Sequence, residues 1–110
     1  MGENSKKDYN NGRIYCIRNH ITDDIYVGST TQAISKRMQK HKESINNKRD
    51  VNMLLYQEMR ELGKEHFYIE LIEEYKCENI EQLRKREGEV IRELKPTLNK
   101  RIEDRTIQEW

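Results

Sequence analysis

Of 110 residues, one is proline, one tryptophan, one phenylalanine, and only five are glycine. So few chain breakers leave no low-complexity tract and no linker that would part a second domain. No run of apolar residues approaches the length that crosses a bilayer, and the opening MGENSKKDYN lacks the apolar segment of a secretory signal. The expectation is an intracellular protein, cytoplasmic or nuclear, with no membrane attachment. Cysteine is scarce as well: Cys16 and Cys77 stand far apart, with no CxxC partner and no nearby histidine pair. This points away from a disulfide framework and a zinc site, and toward two reduced, partly buried thiols. A surplus of one charge is also missing, since 21 basic residues meet 20 acidic ones for a net charge of +1. Whole-molecule electrostatics therefore selects no partner.

What is abundant is ionisable surface. Charged residues make up 37% of the chain and hydrophobic ones 34%, which describes one domain with a thin core. The charges are unevenly placed. Between Gln32 and Arg49 stand Lys36, Arg37, Lys40, Lys42, Lys48 and Arg49 against the single acid Glu43, while Glu58 to Glu74 is rich in acids. Such a basic stretch suits a polyanion docking on one side, and equally a solvated lysine-rich helix.

Along the chain, residues 1–11 read as a flexible polar lead. Arg13 to Asn19 and Ile25 to Gly28 are rich in β-formers, and Thr22, Asp23 and Asp24 between them supply turn chemistry, so the two runs form an antiparallel hairpin. With Tyr15 opposite Tyr26, both phenols share one face. The Ser29-Thr30-Thr31 run offers an N-cap to a helix from about Gln32 to Asn47, whose apolar stripe is Ile34, Met38 and Ile45 with His41 between them. Arg37 lies one turn before His41. A second helix, about Val51 to Leu62, turns Leu55, Met59 and Leu62 inward and stops at Gly63. Phe67, Ile69 and Leu71 alternate with Tyr68, Glu70 and Ile72 as a third strand. A third helix begins after Asn79 and is closed by Pro96. The expected fold class is α+β, a small three-stranded antiparallel sheet flanked by about three helices. Residues 102–110 form a tail of uncertain structure.

One residue interrupts the third helix. Its apolar stripe runs Ile80, Leu83, Glu87, Val90, Ile91, Leu94, so Glu87 turns its carboxylate toward the core. Such a group costs several kcal/mol, roughly, unless it is paired, protonated or bound to a cation. It either escapes to solvent or pairs with Arg84 or Arg86, or it awaits a metal.

Together these residues closely resemble the GIY-YIG nuclease domain. The resemblance rests on Gly12-Arg13-Ile14-Tyr15 and Tyr26-Val27-Gly28-Ser29, then Arg37 and His41, then Glu87, then Asn99 in Lys95-Pro96-Thr97-Leu98-Asn99. It covers roughly residues 12–101. In the first motif the glycine stands one residue early, behind Arg13. Tyr15 keeps its place, and no special role is expected of Gly12.

The resemblance implies metal-dependent hydrolysis of DNA phosphodiesters. Glu87 would be the one protein ligand to Mg²⁺ or Mn²⁺, which keeps most of its waters and takes phosphate oxygens. Tyr15 matches the tyrosine proposed as general base, its phenol brought down from ~10 by Arg37 and the metal. Arg37 would hold the non-bridging oxygens. Tyr26 would position water or phosphate, and His41 would relay the proton or orient Tyr15. Asn99 would tie down the strand edge, Gly28 would allow close backbone packing, and Gly88 would let its helix approach another element. Lys36, Lys40 and Lys42 are the expected DNA contacts. Apart from the resemblance, Tyr15 and Tyr26 are core-edge aromatics, His41 is a hydrogen-bonded packing residue, and Tyr9, Tyr56, Tyr68 and Tyr75 serve packing or surface. The alternative reading is an inactive nucleic-acid-binding module of the same fold. With no reading module in the sequence, specificity would come from DNA structure, a dimer or a partner protein.

Overall fold

Strand β1 (Arg13–Asn19) is buried on both sides: Ile14, Tyr15, Cys16 and Ile17 are each at most 3% exposed. A strand with no polar face must lie inside a sheet covered above and below. In the computed structural model, which describes residues 8–48 and 53–99, β1 is the central strand between β2 (Tyr26–Thr30) and β3 (Phe67–Glu74), antiparallel to both. Between β2 and β3 the chain forms α1 (Ile34–Glu43) and α2 (Leu54–Leu62), and after β3 it forms α3 (Ile80–Leu94). The α+β expectation of a three-stranded antiparallel sheet with three helices is what the chain adopts.

The side chains alternate between two cores. Tyr15 and Ile17 pack with Met38 of α1, Leu55, Tyr56 and Met59 of α2, Phe67 and Leu98. Ile14 and Cys16 point the other way, into Val27, Cys77, and Leu83 and Val90 of α3. Burying Ile14 and Ile17 completely contributes roughly 1.5–3 kcal/mol each, as an upper value. Both thiols are free and buried.

The hairpin register departs from the expected one. Tyr15 pairs with Gly28 and Tyr26 pairs with Ile17, so the two tyrosines are diagonal neighbours. A shift of two residues preserves the face, which is why they still lie together. The turn is organised by Asn19, whose Oδ1 accepts from the backbone N–H of Ile21 at 2.8 Å and of Thr22 at 2.6 Å. On the other side of β1 the register slips between Ile14 and Tyr15, leaving Ile72 as the extra residue of β3. Ile72 then packs into the α3 core, and Leu71 is 44% exposed.

Helix ends follow local chemistry, with some corrections. The Asn79 side chain accepts from the backbone N–H of Gln82 at 3.0 Å and caps α3, and Lys95 leaves the helix in the left-handed region just before Pro96. Gly63 ends α2 at φ 101°, a backbone open to glycine. Helix α1 is shorter than expected at both ends: Ser29 and Thr30 belong to β2 and Ala33 precedes the helix without a side-chain cap, while at the other end Ser44 leaves the helix in a turn instead of continuing it to Asn47. The stretch 8–11 is no loose lead: Tyr9–Asn11 forms a 3₁₀ turn capped by Asp8, and the Tyr9 carbonyl accepts from Gly12 and Cys77. The second helix starts at Leu54, after an extended Met53, instead of at about Val51; Val51 itself, the rest of the lead and the 102–110 tail lie outside the described residues. Among the described residues no helix is long and apolar enough to cross a membrane.

Candidate active site

Gly28 decides where the Tyr15 phenol goes. The two residues are directly paired, and a Cβ on Gly28 would stand 2.5 Å from the Tyr15 hydroxyl, so the ring lies over the glycine. The close packing expected at Gly28 is therefore packing against Tyr15. Gly12 also proves necessary, against expectation: a Cβ there would collide with the Tyr75 carbonyl. Gly88 shows the reverse, since an added Cβ meets only the Arg92 guanidinium at 3.7 Å, and no close approach of its helix depends on it.

At the Tyr15 hydroxyl two side chains converge. Arg37 donates from Nε at 3.2 Å, and His41 Nε2 lies at 2.7 Å. The far nitrogen of the same imidazole, Nδ1, is 2.8 Å from the Tyr56 hydroxyl. Arg37 and His41 are one turn apart on α1, which carries them to the same β1 residue. The Tyr26 ring lies edge-on to His41 at 5.7 Å and tilted against Tyr15 at 6.5 Å.

Glu87 is half-buried, and its carboxylate meets the rim of a cavity instead of the core. Ser29, on the α3 side of β2, donates its hydroxyl to Glu87 Oε1. Arg86 does not neutralise Glu87, because its guanidinium is held by Glu73 at 2.7 Å and Glu89 at 2.8 Å. Arg84 lines the same cavity, with no ion pair to Glu87 among the described residues.

The cavity is about 480 Å³ and runs beside β2. Tyr15, Tyr26, Gly28, Arg37, Lys40 and Glu87 all line it, so residues from both faces of the sheet reach one space. Lys36 is exposed on α1, and Lys42 faces a different groove between α1 and β3, with Met38 and Phe67. Asn99 stands behind the site: its amide accepts from Val27 N–H at 2.8 Å and donates to Val27 C=O at 2.7 Å, pairing the β2 edge as a strand would.

Burial governs the protonation states. It raises the Tyr15 phenol above its ordinary value, with Arg37 pulling in the opposite direction and Glu87 adding to the rise. Arg37 pulls the phenol down as expected, but desolvation is the larger effect, so in the chain alone Tyr15 still lies above its ordinary value. Tyr26 is raised further, by burial first and then by Tyr15 and Glu87. His41 is pushed down to about 3 by burial and by the Arg37 charge, so its ring is neutral near neutral pH.

Two contributors escape sequence reasoning. Ser29 looks like a helix cap until it is placed in β2, where alternation turns it toward α3. Tyr56 lies three residues before Met59 on the inward face of α2, a spacing that marks it as buried but not as a hydrogen-bond partner. Among the described residues no three His, Cys, Asp or Glu side chains gather into a metal cluster. A cation here would have one carboxylate and would draw its other ligands from water and phosphate, a donor set that fits a hard ion such as Mg²⁺.

No curated protein sequence is similar enough to this chain to count as a relative. Two solved structures share the fold. The catalytic domain of the homing endonuclease I-TevI is 25% identical, covering 80% of this chain and 92% of that one with a TM-score of 0.64. A mutant of the intron endonuclease I-TevI catalytic domain is 24% identical, covering 82% and 90% with a TM-score of 0.67. The family profile of the GIY-YIG catalytic domain matches residues 11–101, nearly the whole described chain, and on that match this protein belongs to the GIY-YIG catalytic domain family.

Proposed function

We propose that this chain is a metal-dependent endonuclease that hydrolyses DNA phosphodiesters in the cavity beside β2. The observation that carries the proposal is that Tyr15, Arg37 and Glu87, from three different elements, line one cavity. Membership of the family and the likeness to the I-TevI endonuclease domain support the same chemistry.

In this reading Glu87 holds a divalent cation, with Ser29 fixing the orientation of its carboxylate. When bound, such an ion polarises the phosphate and stabilises the leaving 3′ oxygen. Arg37 holds the non-bridging oxygens with a charge it does not lose, and so offsets the negative charge gained as water adds to phosphorus. Tyr15, as phenolate, takes the proton of the attacking water while the bond from phosphorus to the 3′ oxygen breaks. Arg37 and a cation on Glu87 are the charges that counter the rise burial imposes on Tyr15. Tyr26 closes the wall beside the water, and Lys40 and Lys36 supply positive charge for the strand. Asn99 keeps β2 in place.

Supercoiled plasmid and branched DNA, each with Mg²⁺, Mn²⁺ or chelator, test the reading with wild type and Glu87→Gln. Cleavage that needs the cation and is lost in Glu87→Gln with DNA binding retained supports it. Binding without cleavage in every condition would make the chain a DNA-binding module of the same fold instead.

A further inference from the structure

The Tyr15 phenol does not end at His41. Tyr15, His41 and Tyr56 are 1%, 1% and 5% exposed, and their polar atoms form one buried line: Tyr15 Oη to Nε2 at 2.7 Å, Nδ1 to Tyr56 Oη at 2.8 Å. A neutral imidazole has one N–H and one bare nitrogen, so the line has two possible directions. In one, Tyr15 donates inward to Nε2 and Nδ1–H donates to Tyr56. In the other, Tyr56 donates to Nδ1 and Nε2–H donates to Tyr15.

The directions differ in what they leave at the cavity. If Tyr15 donates inward, its proton points away from the cavity and would have to settle on His41 for the phenolate to form. Burial and the Arg37 charge oppose a second proton on that ring. If Nε2–H donates outward, Tyr15 Oη accepts from both His41 and Arg37, whose Nε is 3.2 Å away. Its own proton is then free to point into the cavity, and the phenolate left behind keeps two N–H donors.

We infer that Tyr56 is a positioning residue acting through His41: its hydroxyl donates to Nδ1, which places the ring hydrogen on Nε2 and aims it at Tyr15. This rests on Tyr15 as the base of the proposed reaction. The other charged and titratable groups facing Tyr15 are Arg37 from α1, Tyr26 from β2 and Glu87 from α3. None of these is placed at Nδ1 by a hydrogen bond, whereas Tyr56 is.

The test reads the ring directly. In protein labelled with ¹⁵N-histidine, the His41 spectrum of the wild type is expected to show a hydrogen on Nε2 and a bare Nδ1. The opposite assignment overturns the inference. In Tyr56→Phe the fixed tautomer is expected to be lost. With it, kcat falls about tenfold, the loss expected for one hydrogen bond, while KM for DNA is unchanged. The acid limb of the pH–rate profile moves to higher pH, because Tyr15 loses a donor to its phenolate. A purely structural role for Tyr56 would lower stability and leave that limb in place, and an unmoved limb with an unchanged tautomer overturns the inference. The nitrogen spectrum does not depend on catalysis. A chain that cuts no DNA but shows Nε2–H refutes the proposed function, and with it the catalytic use of the line, while the direction that Tyr56 sets in it stands.

Discussion

The Tyr15 hydroxyl lies where a side chain on Gly28 would be, 2.5 Å from the position of a Cβ. The phenol therefore reaches Arg37 and His41 only because its strand partner has no side chain. Gly28→Ala is expected to displace the ring and reduce cleavage by about 10²-fold, a loss of the size that a shift of about 1 Å in a reacting group can cause. The overpacking would also cost about 1–3 kcal/mol of stability. Single-turnover cleavage and denaturant unfolding of the same variant separate the two effects.

Ser29 holds one oxygen of Glu87 from β2. In Ser29→Ala the carboxylate is free to turn, and the cation concentration giving half-maximal cleavage is expected to rise about 10- to 100-fold. Titration of Mg²⁺ or Mn²⁺ at saturating DNA measures this. Cleavage at saturating metal is expected to recover, because Glu87 itself is intact.

Glu58 on α2 and Asp24 in the β1–β2 turn share a hydrogen bond, and burial together with Asp24 pushes the Glu58 carboxyl up to about 7. Asp24 is in turn held by the hydroxyl of Thr97 at 2.8 Å and that of Thr22 at 3.2 Å. A carboxyl raised in the folded state binds its proton more tightly there than in the unfolded chain. Its contribution is complete at pH below the ordinary carboxylate value of about 4.3 and is lost as pH rises through about 7. Glu58→Gln keeps a neutral partner for Asp24, so its advantage over wild type should be small at acid pH and grow between pH ~5 and ~8. Denaturant unfolding at both ends of that range checks it.

Gly88 occupies the interior of α3 with room for a methyl group. Gly88→Ala is expected to stabilise the fold by about 0.5–1 kcal/mol through helix propensity and a less flexible unfolded chain. A rise in melting temperature with an unchanged cleavage rate is the expected result.

Strand β1 was legible because a run buried on both faces must be continuous in residues that suit a strand interior, as Ile14-Tyr15-Cys16-Ile17 is. The ends of α3 were legible because Asn79 and Pro96 act locally. The register of the hairpin was not, since a slip of two residues keeps every face, and the Asn19 turn and the seat of the Tyr15 ring over Gly28 exist only in the folded hairpin. The start of α1 was misplaced because Ser29 and Thr30 suit a strand and a cap equally well, and pairing with β1 decides. Glu87 stood out in its stripe, yet its depth depended on the cavity beside β2, which no single helix encodes. Tyr56 went unmarked because its partner, His41, comes from another helix.

Removing a single oxygen gives the most direct test. Tyr15→Phe keeps the ring over Gly28 and deletes the hydroxyl to which Arg37 and His41 are bonded. Single-turnover cleavage of supercoiled DNA at saturating Mg²⁺ is expected to fall about 10²- to 10⁴-fold, the range of a general base, with DNA affinity unchanged. Cleavage by Tyr15→Phe at the wild-type rate would contradict the account.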